Sequence, residues 1–483
     1  MTPTTTPDDT MTHGGISLGL NRIHRLLSLL QAPHTRVPVV HIAGTNGKGS
    51  VSAYLTSILD RAGVPVARFN SPHLVDEWDC IQLHGRSVSE DQFRAAKRRV
   101  EQTSLDHDVQ ATSFEVLTAT AFSLFARAVP PVRVAVVEVG MGGAEDATNV
   151  VPADRTLLSV VTAIDLDHQK FLGDTVGAIA RVKAGIIRPD GDVVVSQQSH
   201  EEATAAIRAV AAERRARIHQ AGEAELVPDR HETGPSESPR SLPPAPLASI
   251  PLNAVDQPSA HLQARLPLPG SYQLQNAATA VLAASLLRTL NRTRNLVPEL
   301  ETALTDDAII QGVEATEWPG RLSWLSIPSS TPDDEKLLLL DGAHNPSSAA
   351  LLASYLASLP PHLRPDTLIF ALSAPRDPSD VVRPLLEALT DGSEPLRVIC
   401  CGFSPPVGMD WVRSTAPAEL ASRVEAEVAR LTPGRHQRVQ VTTAPNAEQA
   451  LSMLGSGSKP AVAAGSLYLA ADVMRFVRSR AQQ

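Results

Sequence analysis

Residues 44 to 50 read Gly-Thr-Asn-Gly-Lys-Gly-Ser, three glycines set around one lysine and closed by a hydroxyl. Glycine lets successive backbone N–H groups turn inward onto phosphate oxygens, and a lysine on a flexible stem adds a mobile cation for the outer phosphates. The spacing describes a polyphosphate cradle made of Thr45, Asn46, Gly47, Lys48, Gly49 and Ser50. An apolar, β-branched run from Val37 to Ala43 precedes it, and apolar spacing from Ser50 to Ala62 predicts a helix that turns its positive end to the same anion. Gly49 separates Lys48 from Ser50, unlike the commonest phosphate loop, so Ser50 is one candidate among several for a metal-binding hydroxyl. The plain alternative, a tight strand-to-helix turn, explains fewer of these residues.

Other chemistry-bearing residues also stand where strands end. Ser71, in Asn-Ser-Pro-His-Leu, follows a strand-like run, at the edge where parallel sheets bind ligands; a simple Ser-Pro turn explains it equally well. Glu138 closes the apolar run Val134 to Val137 just before Gly140, Gly142 and Gly143. A lone buried carboxylate is costly, so it needs either an arginine partner or a divalent cation on bound nucleotide. His168 follows the run Leu157 to Ile164, as a structural histidine or as a ligand. Lys183 shares a helix face with Ile179 and Ile186, so its amine either snorkels to solvent or loses its charge and takes up carbon dioxide as a carbamate. Arg321 in Trp-Pro-Gly-Arg and Asp341 in Asp-Gly-Ala-His-Asn-Pro stand at later strand ends, able to reach across a cleft.

The elements that position these residues alternate. Strands are expected at 64–69, 133–139, 157–164 and 192–196, with helices at 89–105, 113–128 and 175–187 between them. Alternation of this kind gives a parallel sheet covered by helices. A second block has strands at 321–327, 336–340, 367–372, 396–401 and 438–443, and 483 residues exceed one ordinary core. Apolar periodicity lapses between Asp306 and Trp318, which divides the chain into domains at 15–312 and 313–483. Residues 225–260 turn rich in Pro and Ser and read as a surface insertion, and residues 1–14 as a disordered tail without presequence character.

A formal charge of −9 argues against nucleic acid or an anionic membrane as the main partner, and no apolar stretch is long enough to span a bilayer. Cys80, Cys400 and Cys401 have no metal-binding or bridging spacing, which fits a reducing, cytoplasmic setting; a mitochondrial fraction stays open.

Taken in order, these segments resemble the Mur ligase superfamily, and within it the dihydrofolate synthase and folylpolyglutamate synthase family. The resemblance rests on His41 to Ser50, Ser71-Pro-His-Leu74, Phe114 to Thr118, Glu138-Val-Gly-Met-Gly-Gly143, Asp146 to Val150, Asp167-His168 with Leu172-Gly173, Lys183 to Ile187, Trp318 to Arg321 and Asp341 to Pro346. It implies an α/β fold, with a P-loop ATPase domain on a parallel-sheet core and a smaller Rossmann-like C-terminal domain. It also implies an ATP-driven amide ligase that makes an acyl phosphate from a pterin-bearing acid and passes the acyl group to glutamate.

Carried over by residue, the resemblance gives the loop, Asn276, Arg321 and Asp341 to ATP, and Ser71, Glu138 and His168 to magnesium at two sites. It makes Lys183 a carbamylated lysine, sets His344 near glutamate or nucleotide, and lays Phe114, Glu115, Val116, Leu117, Glu145, Asp146 and Ala147 along the pterin. Lys48, Lys183 and His344 become the catalytic set. The implied partners are 7,8-dihydropteroate or a reduced folate and L-glutamate, and the implied state is a monomer.

Some segments depart from the family pattern. Ala144-Glu145 replaces Arg-Leu, Asp76-Glu77-Trp78-Asp79 replaces Asn-Glu-Arg, and Ser373 to Asp377 replaces a loop that often carries glycine and lysine. The missing arginine, with Val407 to Trp411 and Gly465 to Leu469, leans toward dihydrofolate synthases that do not extend folates. A phosphate-loop switch or motor without ligase chemistry is the competing class, and it would turn over ATP without an acid substrate.

Overall fold

Valine and isoleucine dominate the central strands, whose side chains are buried on both sheet faces, as parallel strands covered by helices require. The computed structural model describes residues 19–228, 242, 244–253, 260–294, 296–327, 336–392, 394–405, 412–432, 434–454 and 459–481. The tail 1–14, the segment 407–411 and most of the Pro-rich stretch lie outside them.

The first sheet holds β1 (Val39–Ala43), β2 (Val66–Phe69), β3 (Ile81–Leu83), β4 (Arg86–Ser87), β5 (Val134–Glu138), β6 (Thr156–Val161), β7 (Asp192–Val195) and β8 (Arg217–Gln220), in the order β4-β3-β2-β5-β1-β6-β7-β8. From β2 to β8 every pairing is parallel, and β3 and β4 add an antiparallel edge. Strand alternation sorts the side chains. Val40, Ile42, Val66, Val134 and Val136 pack with helices Lys48–Arg61, Tyr272–Arg294 and Asp306–Glu314, while Val39, Ala67, Phe69, Ala135 and Val137 meet helices Asn21–Leu29, Glu90–Asp106 and Ser113–Phe125. Each such fully buried aliphatic side chain contributes about 1.5–3 kcal/mol.

A small antiparallel sheet, β11-β10-β9, is formed by β9 (Glu225–Leu226), β10 (Leu247–Pro251) and β11 (His261–Arg265). Two of these strands fall in the stretch expected to be a surface insertion. Ala248 and Ile250 alternate inward to the main core there, a period-two signal too short to stand out beside the prolines. The expected lapse of periodicity at 306–318 is also different in the structure. A helix capped by Thr305 spans Asp306–Glu314 and buries Ile309 and Val313 against helix Lys48–Arg61.

The second sheet holds β12 (Ser323–Ile327), β13 (Lys336–Leu340), β14 (Thr367–Phe370), β15 (Leu396–Cys401), β16 (Val439–Ala444) and β17 (Ala461–Ala464), in the order β12-β13-β17-β14-β15-β16. Only β12 is antiparallel. Helices Pro346–Ser358, Ser379–Leu389 and Pro417–Ala429 cover one face, and Ala447–Ser452 with Leu467–Ala481 cover the other. The protein is therefore an α/β structure with two sheet domains. Among the described residues no helix is long and apolar enough to cross a membrane.

Helix Asp306–Glu314 approaches helix Lys48–Arg61 so closely that a Cβ on Gly312 would stand 2.3 Å from the Ile58 Cα. Gly312→Ala is expected to lower stability by about 1–3 kcal/mol, read as a lower urea midpoint with an unchanged slope. An unmoved midpoint would mean that the two backbones do not meet there.

Candidate active site

The phosphate loop leaves the carboxyl end of β1 and is braced by hydrogen bonds to the segment after β6. Thr45 N and Asn46 N donate to Ala163 O at 2.9 and 3.0 Å, and the Thr45 hydroxyl donates to Asp165 O at 3.1 Å. Gly47 has φ +91°, which an L side chain rarely adopts, and a Cβ there would meet Asn276 Oδ1 at 2.3 Å. At Gly49 a Cβ would strike the Trp318 ring at 2.5 Å. Ser50 accepts from Gln273 Nε2 at 3.2 Å, and Gln273 Oε1 accepts from Asn276 Nδ2 at 2.9 Å, so helix Tyr272–Arg294 orients the loop's closing hydroxyl.

Two lysines share one acceptor at the base of this loop. Lys48 Nζ donates to Gly44 O at 3.0 Å and Thr45 O at 3.1 Å, and Lys183 Nζ donates to the same Gly44 O at 2.9 Å. Lys183 is 2% exposed, and burial, aided by the charge of Lys48, brings its amine down to about 7. Such an amine is largely neutral just above neutrality and can add carbon dioxide.

Glu138 ends β5, 5% exposed, and Asn70 Nδ2 donates to its Oε2 at 2.5 Å. Burial raises its pKa, while Lys48, Asn70, Arg321 and Arg68 pull the other way. Ser71 follows β2, and His168, at φ +50°, opens the short helix Gln169–Leu172, with burial holding its imidazole below the ordinary value and hence neutral. The second domain supplies Arg321, Asp341 and His344. Asp341 accepts from Leu322 N and Ala343 N, both at 2.8 Å, and His344 Nδ1 donates to Gly342 O at 2.8 Å, which leaves Nε2 with its lone pair. Burial takes His344 down to about 4.

A cavity of about 490 Å³ between the two sheets collects these groups. Thr45 to Ser50, Ser71, Glu138, His168, Arg321, Asp341 and His344 all line it. Asn46 Nδ2 donates across it to Ser347 Oγ at 3.3 Å. Asn276 and Lys183 stand just behind the lining, held to it through Gln273 and Gly44. A hydroxyl, a buried carboxylate and a neutral imidazole make a sparse, mainly hard donor set. Two oxygen donors and one nitrogen on one cavity fit a hard divalent cation that takes its further oxygens from elsewhere; among the described residues no three His, Cys, Asp or Glu side chains gather as a cluster.

The seven residues expected along the pterin lie apart from that lining. The Phe114 ring packs against Gly140, which does line the cavity, and stacks on Phe69 at 6.2 Å. Glu115 accepts from Thr112 N at 2.6 Å and from Arg22 Nε at 3.1 Å; Val116, Leu117 and Ala147 pack in the apolar layer, and Glu145 is exposed. Asp146 accepts from Met141 N at 2.9 Å, Thr148 N at 3.0 Å and the Thr148 hydroxyl at 2.5 Å. That hydroxyl in turn accepts from His41 Nε2 at 2.8 Å. His41 and Gln273 thus tune the site without having been singled out in the sequence. A lone polar residue inside an otherwise apolar β1 was the available signal for His41.

Comparison with known proteins agrees with this architecture. Residues 42–284 match the family model described as Mur ligase middle domain, and residues 323–476 that described as dihydrofolate synthetase, C-terminal domain. A probable dihydrofolate synthetase of Schizosaccharomyces pombe is 32% identical over 96% of this chain and 99% of its own, and the dihydrofolate synthetase of Saccharomyces cerevisiae 31% identical over the same shares. Among solved structures, a Mycobacterium tuberculosis folylpolyglutamate synthase complexed with ADP and AMPPCP superposes with TM-score 0.71 at 28% identity, covering 95% of each chain. A bifunctional folylpolyglutamate synthase/dihydrofolate synthase with Mn, AMPPNP and L-glutamate bound gives 0.68 at 25% identity, covering 96% of each.

The depressed Lys183 amine leaves a pH signature. Between about 7 and the ordinary 10.5 the unfolded chain carries a proton that the folded chain lacks, so stability rises with pH in that window. The slope approaches about 1.4 kcal/mol per pH unit. Denaturant unfolding of metal-free protein at neutral and at mildly alkaline pH should show this rise, and Lys183→Met should lack it. Parallel pH dependences in the two proteins would mean that the amine titrates normally.

Proposed function

From the premise that the chain belongs to the dihydrofolate synthetase family of Mur ligases, we propose that it joins L-glutamate to 7,8-dihydropteroate with ATP, giving dihydrofolate, ADP and phosphate. One observation carries this reading: phosphate loop, Glu138, Ser71 and His168 from one sheet face Arg321, Asp341 and His344 from the other across a single cavity.

In the first step a carboxylate oxygen of the pterin acid bonds to the γ-phosphorus while the bond to the ADP oxygen breaks. Both reactants are anions, so positive charge must be in place beforehand. Lys48 turns from the carbonyls of Gly44 and Thr45 to the β- and γ-phosphates, and the N-terminus of helix Lys48–Arg61 adds its dipole. Ser71, Glu138 and His168 would hold two magnesium ions together with nucleotide oxygens, and those ions offset charge on the phosphate chain. Lys183, carbamylated when its neutral amine nitrogen bonds to carbon dioxide and releases a proton to solvent, would supply a carboxylate to support one of them. Asn276, Arg321 and Asp341 fix the nucleotide from both domains. In the second step the uncharged glutamate nitrogen bonds to the acyl carbon, the bond from that carbon to the phosphate oxygen breaks, and the proton lost by nitrogen leaves with phosphate. The neutral His344, with a free Nε2, stands near that amine or the nucleotide.

The acyl phosphate must be kept from water, and the contact between Asn46 and Ser347 supports a cleft that closes over it. Phe114 and Asp146 back the wall at Gly140 and Met141, and through them the segments Phe114 to Leu117 and Glu145 to Ala147 would shape the pterin side of the cavity from behind. The division expected at 312 falls inside helix Asp306–Glu314, which packs on the first core, so we place the boundary between the ATP-binding and glutamate-ligase domains just after that helix, and assign a monomer in a reducing compartment.

Folylpolyglutamate synthesis on reduced folates is the second reading, because both solved structures above carry that name. The segment Asp76-Glu77-Trp78-Asp79 argues against it: it carries no arginine where the family pattern has one, and Asp79 lines the cavity, so this segment offers no cation to a folate's additional carboxylates.

A product assay offering dihydropteroate and tetrahydrofolate separates the two, with glutamate added to the first and not the second as the expected outcome. Extension of tetrahydrofolate would replace this reading by the second one. Lys48→Ala and Glu138→Gln should each lower synthesis by about a hundredfold or more. Near-normal turnover in both variants would end the ligase assignment.

A further inference from the structure

Arg68 lies on β2, on the sheet face covered by helix Lys48–Arg61. Its partner in register on β3 is Gln82, whose partner on β4 is Ser87. Directly paired residues share a face, so the three form one polar row across the antiparallel edge. All three line the cavity between the domains, beside Gly49 and Trp318.

Arg68 is 7% exposed, and its Nε is buried with no hydrogen-bond partner. Among the described residues its side chain makes no hydrogen bond or ion pair; its one specific contact is the Trp318 ring, 4.9 Å from the guanidinium carbon. Glu138 is near enough to be felt electrostatically but is not paired with it. A buried guanidinium normally finds a carboxylate, because an unpaired buried charge is among the costliest groups a fold can hold. An apolar side chain would pack on Trp318 without that cost. The planar fork of arginine is instead suited to two parallel hydrogen bonds to an oxyanion.

We propose that Arg68 is a substrate-binding residue whose partner is an oxyanion brought into the cavity by the reactants. That oxyanion is a phosphate of the nucleotide or the carboxylate of the pterin acid. Gln82 and Ser87 extend the same polar floor outward from it. The inference rests on the reading that this cavity receives ATP and an acid, and it adds to the expected site a cation that no motif marks.

The test is equilibrium binding, which needs no turnover. Wild type, Arg68→Met and Arg68→Lys are titrated separately with AMPPCP and with dihydropteroate, and thermal unfolding of each is recorded. Arg68→Met should weaken one of the two ligands about tenfold or more while the other stays within about twofold. The ligand that weakens identifies the source of the oxyanion, and Arg68→Lys should recover part of its affinity. If both ligands keep their affinity, or if both weaken together as the melting temperature falls, Arg68 only braces Trp318 and the proposal is overturned. Wild-type protein that binds neither ligand would instead overturn the ligase reading itself.

Discussion

Gly44 presents one carbonyl oxygen to two ammonium groups, Lys48 and Lys183. Like charges so close, and largely shut off from water, destabilise each other, and the more deeply buried amine yields its proton more readily. Arg68, Arg321, Arg376 and Arg478 line the cavity together with Lys48, against Asp79, Glu138, Asp167 and Asp341. Positive charge gathered at the phosphate loop suits a reaction between two anions, because much of the field that offsets their repulsion is built into the fold beforehand.

The topology makes the arrangement rigid. Phosphate loop, Ser71, Glu138 and His168 follow four different strands, β1, β2, β5 and β6, that are neighbours in one parallel sheet. Strand pairing fixes their spacing, so the site's precision comes from the sheet rather than from the loops. Side-chain links then refine it, through Gln273 to Ser50, Asn70 to Glu138, and His41 through Thr148 to Asp146.

Much of this was legible in the residue order because the signals were local. Glycine spacing around Lys48, the capping pair Ser89 and Gln92, and β-branched runs at 134–137 and 396–401 each report on their own neighbourhood. Strand β17, central to the second sheet, escaped notice because Ala461–Ala464 is short and alanine-rich, and only its neighbours β13 and β14 make it a strand. Glu115 and Asp146 show the limit of reading roles from type. Their carboxylates bond to backbone N–H groups and to Arg22 or Thr148, partners that the sequence does not place beside them. Arg68 was hidden for the opposite reason, since its meaning lies in the partners it lacks.

β12 runs antiparallel to β13, with Ser323 opposite Leu340, so the segment that joins the domains enters the second sheet at the same end where Asp341 leaves it. Arg321 therefore sits on the joint itself, and Gly342 N donates to Gly320 O beside it. Leu467, which opens the last helix, packs on Gly342 next to Arg321, and Arg475 of that helix reaches Val75 O of the first domain. The joint is thus held at two places, like a hinge with a second pin.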